Sequence, residues 1–335
     1  MPLTLSILDQ SFTKTPDAAP QALQETIKMA QLAEKLGYKR FWVSEHHAFS
    51  TLSGSAPEIL IAALGAATHT IRLGSGGIML PHYSAYKIAE VFSLLANLYP
   101  ERIDLGIGRA PGADMSTAVA LATDGKPKFE HFPKLVTQLM HFLSDPSAQP
   151  LVSPKPPPDL PIWLLGTSPD SAQLAAEKGL PYNLALFINP QAPSELVRLY
   201  KRYFNTNNQY TSKPYASITM SVFCADTEQR AKEQQLAFDV NFYRFVTGQR
   251  SNIGAGLLSI EESQEFPMTP QLAGFIEMRN QNRAVGTPDQ VVTTIRQTAK
   301  DYAADEVMLV TNMMDFVDRS RSFELVKSEF DKKYN

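Results

Sequence analysis

Arg102-Ile-Asp-Leu-Gly-Ile-Gly-Arg-Ala-Pro-Gly112 is the stretch on which the fold turns. Ile103, Leu105 and Ile107 make Arg102–Ile107 a short buried strand, and Gly106, Gly108, Pro111 and Gly112 end it in a loop headed by Arg109. Upstream, Ser84–Leu98 has helical apolar spacing and Ile71–Leu73 opens another strand. Pro57–Thr68 reads as a helix with proline in its first turn, preceded by the strand Phe41–Val43. Gln21–Leu36 is a helix that Gly37 stops as a C-cap, and Leu3–Leu8 is the first strand. Downstream the rhythm continues with strands at Ile162–Leu165, Leu184–Phe187, Ser217–Cys224 and Glu306–Val310. Helices fall at Ser171–Lys178, Ser194–Phe204, Glu228–Phe245 and Pro288–Tyr302. Eight strands alternating with helices predict one α/β domain over residues 1–335, a (β/α)8 TIM barrel with insertions. A doubly wound open sheet is the rival, and no Gly-x-Gly-x-x-Gly follows the first strand to support it.

Composition narrows the class. Thirty-one basic against 34 acidic residues leave a formal charge of −3, which offers nucleic acid no basic footprint. A single cysteine, Cys224, excludes a disulfide framework and a cysteine-built zinc site, and it reads as a small core filler. Met-Pro-Leu-Thr-Leu carries no cationic stretch ahead of an apolar one, and apolar runs such as Val307–Val310 fall far short of the roughly 20 residues of a membrane helix. A cytoplasmic protein without membrane contact is expected. Two stretches break the rhythm. Asp145–Pro161 holds seven prolines and reads as an extended excursion. Thr247–Ala284, rich in Gly, Ser, Asn and Gln, is either a lid over the strand-end face or a surface decoration.

Barrel chemistry gathers where strands end and loops begin. Glu45-His46-His47 follows the second strand. Adjacent strand residues face opposite ways, so a metal site there requires the strand to have ended; a structural histidine pair and a general base near neutral pH are the other readings. Gly74, Gly76 and Gly77 cluster after the third strand, where bare backbone either lets a planar ligand lie close or forms a bulge in the wall. Arg109 at the mouth, with Gly166-Thr167-Ser168 at a helix start, suits one phosphate, although singly Thr167 and Ser168 serve as N-caps. The small residues from Ala62 to Ala67 permit close approach, either to a second subunit or to the chain's own barrel.

Five landmarks in order now carry a resemblance. They are Phe41-Trp-Val-Ser-Glu-His-His47, Leu73-Gly-Ser-Gly-Gly-Ile-Met-Leu-Pro81, Pro100–Gly112, Ile162-Trp-Leu-Leu-Gly-Thr-Ser168, and Val285-Gly-Thr-Pro-Asp-Gln-Val-Val292 with Asp305-Glu-Val-Met-Leu309. On these the chain resembles the bacterial luciferase-like monooxygenase family along nearly its whole length, nearest the subgroup whose first strand ends Ile7-Leu-Asp-Gln-Ser11. The resemblance implies a barrel that takes reduced FMN from a separate flavin reductase and turns it with O2 on a small organic substrate. It implies an unusual cis peptide at Gly76-Gly77 under the flavin ring, and an FMN phosphate held by Arg109, Thr167 and Ser168 with Leu165 and Gly166 near the flavin. His46 matches the family's proposed base and Glu45 the carboxylate beside it, ordering the histidine or the flavin edge. A homodimer is the family expectation. Gly108 stands where luciferase carries a reactive cysteine and Thr167 where it carries a glutamate, departures that speak against light emission and leave flavin binding in place. No metal is expected. The rivals are deazaflavin-dependent hydride transfer on the same barrel, a non-catalytic flavin-binding protein, and last a metal hydrolase.

Overall fold

The computed structural model describes residues 3–122, 124–208, 210–248 and 256–334. Its strands are β1 Thr4–Asp9, β2 Arg40–Val43, β3 Arg72–Ser75, β4 Ile78–Met79, β5 Ile103–Gly108, β6 Ile162–Gly166, β7 Tyr182–Ala185, β8 Ala216–Cys224, β9 Ala284–Gly286 and β10 Glu306–Val310. Hydrogen bonding runs β10-β1-β2-β3-β5-β6-β7-β8, and β10 also pairs with β8, so eight parallel strands close a ring. The fold is the (β/α)8 barrel that the alternation predicted. β4 is a short extension paired with β5, and β9 prolongs the wall beyond β8.

Side-chain alternation explains the interior. On β2, Phe41 and Val43 face the helices while Arg40 and Trp42 face inward. At the strand-start end Arg40 pairs with Asp104 (2.7 Å) and Glu306 (2.9 Å), and Arg72 pairs with Asp104 (2.7 Å). Above this ionic layer Trp42 meets Trp163 edge-on at 5.1 Å, packed with Leu8, Met308 and Val310. The barrel is therefore filled from its base upward, and open space lies toward the strand ends.

Local signals placed most helices well. Gly37 caps Ala19–Leu36 in the left-handed conformation (φ 77°), and Pro57 opens Pro57–Ala67. Residues 145–161 hold neither helix nor strand, as their prolines require. Two differences matter. The strand expected at Leu184–Phe187 runs Tyr182–Ala185, because the backbone turns at Leu186, whose N–H donates back to Leu184 O, and Phe187 already lines the barrel mouth. The expected long insert contains two helices, Ile260–Glu265 and Pro270–Asn280, started by side-chain caps at Ser259 and Thr269. Residues 249–255 of that insert lie outside the described residues. Gly65, in the small-residue run, packs against the chain's own Tyr99, whose hydroxyl donates to Ala62 O at 2.7 Å.

Candidate active site

At the strand-end face a cavity of about 440 Å³ adjoins a second of about 340 Å³, and Pro111, Phe187 and Ile188 line both. The larger lobe rests on Leu8, Trp42 and the Gly76-Gly77 peptide, which is cis. These glycines are dictated by space. A Cβ on Gly77 would lie 2.3 Å from Leu165 Cδ1 and 2.8 Å from Gly106 O; one on Gly76 would lie 2.6 Å from Leu8 Cδ1. Across the lobe Arg109, half-exposed, reaches Asp170 at 3.9 Å, and Thr167 and Ser168 lead into the helix Pro169–Lys178. Ser168 Oγ accepts from Ser171 N while Ser171 Oγ accepts from Ser168 N, a reciprocal cap. Leu165 and Gly166 line the same lobe.

This lobe fits FMN. A flat floor of bare glycine backbone accepts a planar ring, the volume lies within the roughly 300–1,000 Å³ of cofactor sites, and a guanidinium beside a helix start suits a phosphate. Asn183 and Thr219 add a polar patch to an otherwise apolar wall, Thr219 Oγ1 donating to Asn183 Oδ1 at 3.0 Å.

The smaller lobe is aromatic. Phe238, Phe242 and Phe245 come from one face of the helix Glu228–Val246, and Phe49 packs on Phe245 with ring centroids 5.2 Å apart. His46 opens into this lobe. Burial, with His47 adding, pushes its pKa down to about 4, so the ring is neutral at pH 7. Its Nδ1 lies 3.0 Å from Ser44 Oγ. In the tautomer that donates from Nδ1 to Ser44, Nε2 presents a lone pair.

Glu45 takes another direction. β2 ends at Val43, so residues 44–47 belong to a loop that splays them. The buried Glu45 carboxylate lies 2.8 Å from His47 Nε2 and accepts from Tyr83 Oη (2.8 Å) and Met79 N (2.9 Å). Burial, then Glu45, raises the Tyr83 pKa and keeps that phenol protonated. The partner of His46 is Ser44, not Glu45, and Glu45 lines neither lobe. Its hydrogen bonds therefore do not order His46; they tie the loop after β2 to Met79 and Tyr83.

The structure thus gathers Gly76, Gly77, Arg109, Leu165, Gly166, Thr167 and Ser168 around one lobe and sets His46 in the next. Sequence reasoning missed Ser171, Asn183 and the aromatic wall. The spacing of Phe238, Phe242 and Phe245 puts all three on one helical face, a signal indistinguishable from core packing until the barrel mouth is in place.

Comparison with known proteins places the chain in a family and agrees with the barrel fold. The family model described as luciferase-like monooxygenase matches residues 3–306. The chain is 40% identical to the Bacillus subtilis (strain 168) protein YwcH, covering 98% of this chain and 99% of that one. It is 34% identical to the N-acetyl-S-alkylcysteine monooxygenase of the same organism, covering 97% of each. The solved structure of apo-MsnO8 superposes with a TM-score of 0.89 at 35% identity, covering 98% of each chain. Two remoter structures share the fold alone. One is the oxygenating constituent of 3,6-diketocamphane monooxygenase from Pseudomonas putida in complex with FMN (18% identity, TM-score 0.74, covering 100% of this chain and 99% of that one). The other is an F420-dependent secondary alcohol dehydrogenase (15%, 0.69, covering 98% and 99%).

Proposed function

Because the chain belongs to the luciferase-like monooxygenase family, we propose that it is the oxygenase of a two-component, FMN-dependent monooxygenase acting on a small organic substrate. One observation carries the reading: a lobe floored by Gly76-Gly77 and rimmed by Arg109, Thr167 and Ser168 opens directly onto an aromatic lobe holding a neutral histidine. Reduced FMN, delivered by a separate reductase, supplies the electrons and the position at which O2 is activated. The remaining work belongs to the chain. Arg109 and the helix start at Ser168 hold the phosphate, and Gly76, Gly77 and Leu165 set the ring plane. Phe49, Phe238, Phe242 and Phe245 exclude water from the reacting face. His46 Nε2 takes or returns the proton that substrate oxidation moves. The segment 256–284, which contributes Leu257 and Arg279 to the aromatic lobe, acts as its lid. Two chains associate through the exposed Ile59, Leu94 and Leu98, and the enzyme works in the cytoplasm.

An N-acetyl-S-alkylcysteine is a first candidate substrate, since a relative at 34% identity carries that name. Fluorescence and calorimetric titration with FMN, oxidised and then anaerobically reduced, beside the deazaflavin, tests the cofactor. Tighter binding of reduced FMN is expected, with oxygen transfer once a reductase is added. Binding of the deazaflavin alone replaces the reading with hydride transfer, and FMN binding without coupled oxygen consumption leaves a flavin-binding protein.

A further inference from the structure

Among the described residues the aromatic lobe has one charged lining residue, Arg279, from the helix Pro270–Asn280. It is only 7% exposed. Its Nε donates to Asp239 Oδ1 at 3.2 Å, and among the described residues its two terminal nitrogens have no hydrogen-bond partner. Asp239 is already engaged elsewhere: Arg283 donates to both of its oxygens, at 2.6 and 3.0 Å. Two guanidiniums therefore share one carboxylate, and this buried cluster carries a net charge of +1. Uncompensated charge inside a protein is costly, and it persists where a ligand completes it. The rings of Phe238, Phe242 and Phe275 lie 5.4, 4.5 and 5.6 Å from the Arg279 carbon, which fixes the guanidinium plane without filling its donors. Gln10, Thr51, Asn241, Asn312 and His46, the other polar lining groups among the described residues, bring no charge to neutralise it at pH 7.

We infer that the substrate of this lobe is an apolar monocarboxylate and that Arg279 pairs with its carboxylate through the two terminal nitrogens. A planar fork of donors matches a carboxylate bidentately. The apolar remainder of the molecule lies along Phe49, Phe242 and Phe245 toward His46, with its acid end at Arg279. The inference rests on the reading of this lobe as the substrate site beside the flavin, and it makes Arg279 a specificity-determining residue.

The test uses the full chain loaded with FMN and three matched pairs of probes: phenylacetate, 3-phenylpropanoate and octanoate, each against its amide. Calorimetry should give at least one acid bound tenfold or more tightly than its amide. Arg279→Gln should abolish that preference, and Arg279→Lys, which keeps the charge without the fork, should retain part of it. Equal binding of acid and amide throughout the series, binding of none, or a preference that survives Arg279→Gln overturns the proposal. FMN is titrated separately into each protein. Loss of FMN binding by the unaltered chain sinks the flavin reading, while the acid-over-amide comparison stands or falls by itself. A fall in unfolding temperature shared by Gln and Lys variants, with unchanged acid preference in both, would assign Arg279 a structural role alone.

Discussion

At Gly77 an added methyl group would press on a backbone oxygen, Gly106 O at 2.8 Å, whereas at Gly76 the nearest atom is the movable Leu8 Cδ1. Gly77→Ala should therefore cost roughly 1–3 kcal/mol in urea unfolding and weaken FMN binding at least tenfold, with Gly76→Ala milder on both counts. Gly108→Ala should change neither, because its Cβ would meet only Met79 at 3.4 and 3.7 Å. His46 sets a pH signature of its own. Its folded pKa, about 4, lies below the 6.5 of an imidazole in water, so the unfolded chain takes up the proton first. Stability from this residue is complete above pH 6.5 and declines as pH falls toward 4, a loss of about 3 kcal/mol in all. His46→Gln should flatten that acid slope. The acid limb of kcat/KM should likewise lie near pH 4 instead of 6.5, and a limb at 6.5 would place another group in the role. The residues behind these predictions were legible because glycine clusters and histidines at strand ends announce themselves. The hydrogen-bond partners were not: nothing in Glu45-His46-His47 says that the carboxylate turns to Tyr83 and the imidazole to Ser44.

Helix and strand ends divide the barrel into a face for binding and a face for stability. At the start of Pro169–Lys178, Asp170 stands 3.9 Å from Arg109, and both are at least half exposed, so the pair adds little to folding. Its carboxylate competes with any phosphate that Arg109 would hold. Asp170→Asn should tighten FMN binding several-fold at low salt, leave the urea midpoint unchanged and lose its advantage as salt rises. At the opposite end, Asp104 is fully buried between Arg40 and Arg72 and also accepts from Trp42 Nε1 at 3.1 Å. Asp104→Asn leaves Arg40 with Glu306 but takes from Arg72 its one carboxylate partner among the described residues, and it should cost roughly 3–5 kcal/mol, read from urea unfolding, while FMN affinity of the folded fraction stays the same. Elements were legible where one period ran clean, as in Ala19–Leu36 between its proline and Gly37. They were not where the residues favour loops on composition: Ile260–Glu265 and Pro270–Asn280 owe their starts to caps at Ser259 and Thr269 and their persistence to packing on Glu228–Val246.

Across the whole molecule the two lobes draw on residues from Leu8 to Met314, which is why a closed barrel could be foreseen and its mouth could not. The outer surface poses the remaining question of assembly. Ile59, Leu94 and Leu98 are 68%, 51% and 55% exposed on the helices Pro57–Ala67 and Ala85–Leu98, and the exposed Ala63 and Ala66 continue the face of Ile59. The small residues of this helix thus divide: Gly65 turns inward to Tyr99, and the alanines turn outward. Contiguous exposed apolar surface on paired helices is the mark of an association site. A two-fold dimer would bring each copy's patch against its twin, so one substitution acts twice at the interface. Light scattering on the eluting protein should give twice the chain mass for the unaltered sequence and the single mass for Ile59→Glu with Leu94→Glu. The aromatic lobe lies at the barrel mouth, formed by loops and by the helices Glu228–Val246 and Pro270–Asn280, and among the described residues it shares no lining residue with Pro57–Ala67 or Ala85–Leu98. Acid-probe binding per chain should accordingly survive dissociation, whereas a single mass for the unaltered protein at micromolar concentration would leave the exposed patch to another partner.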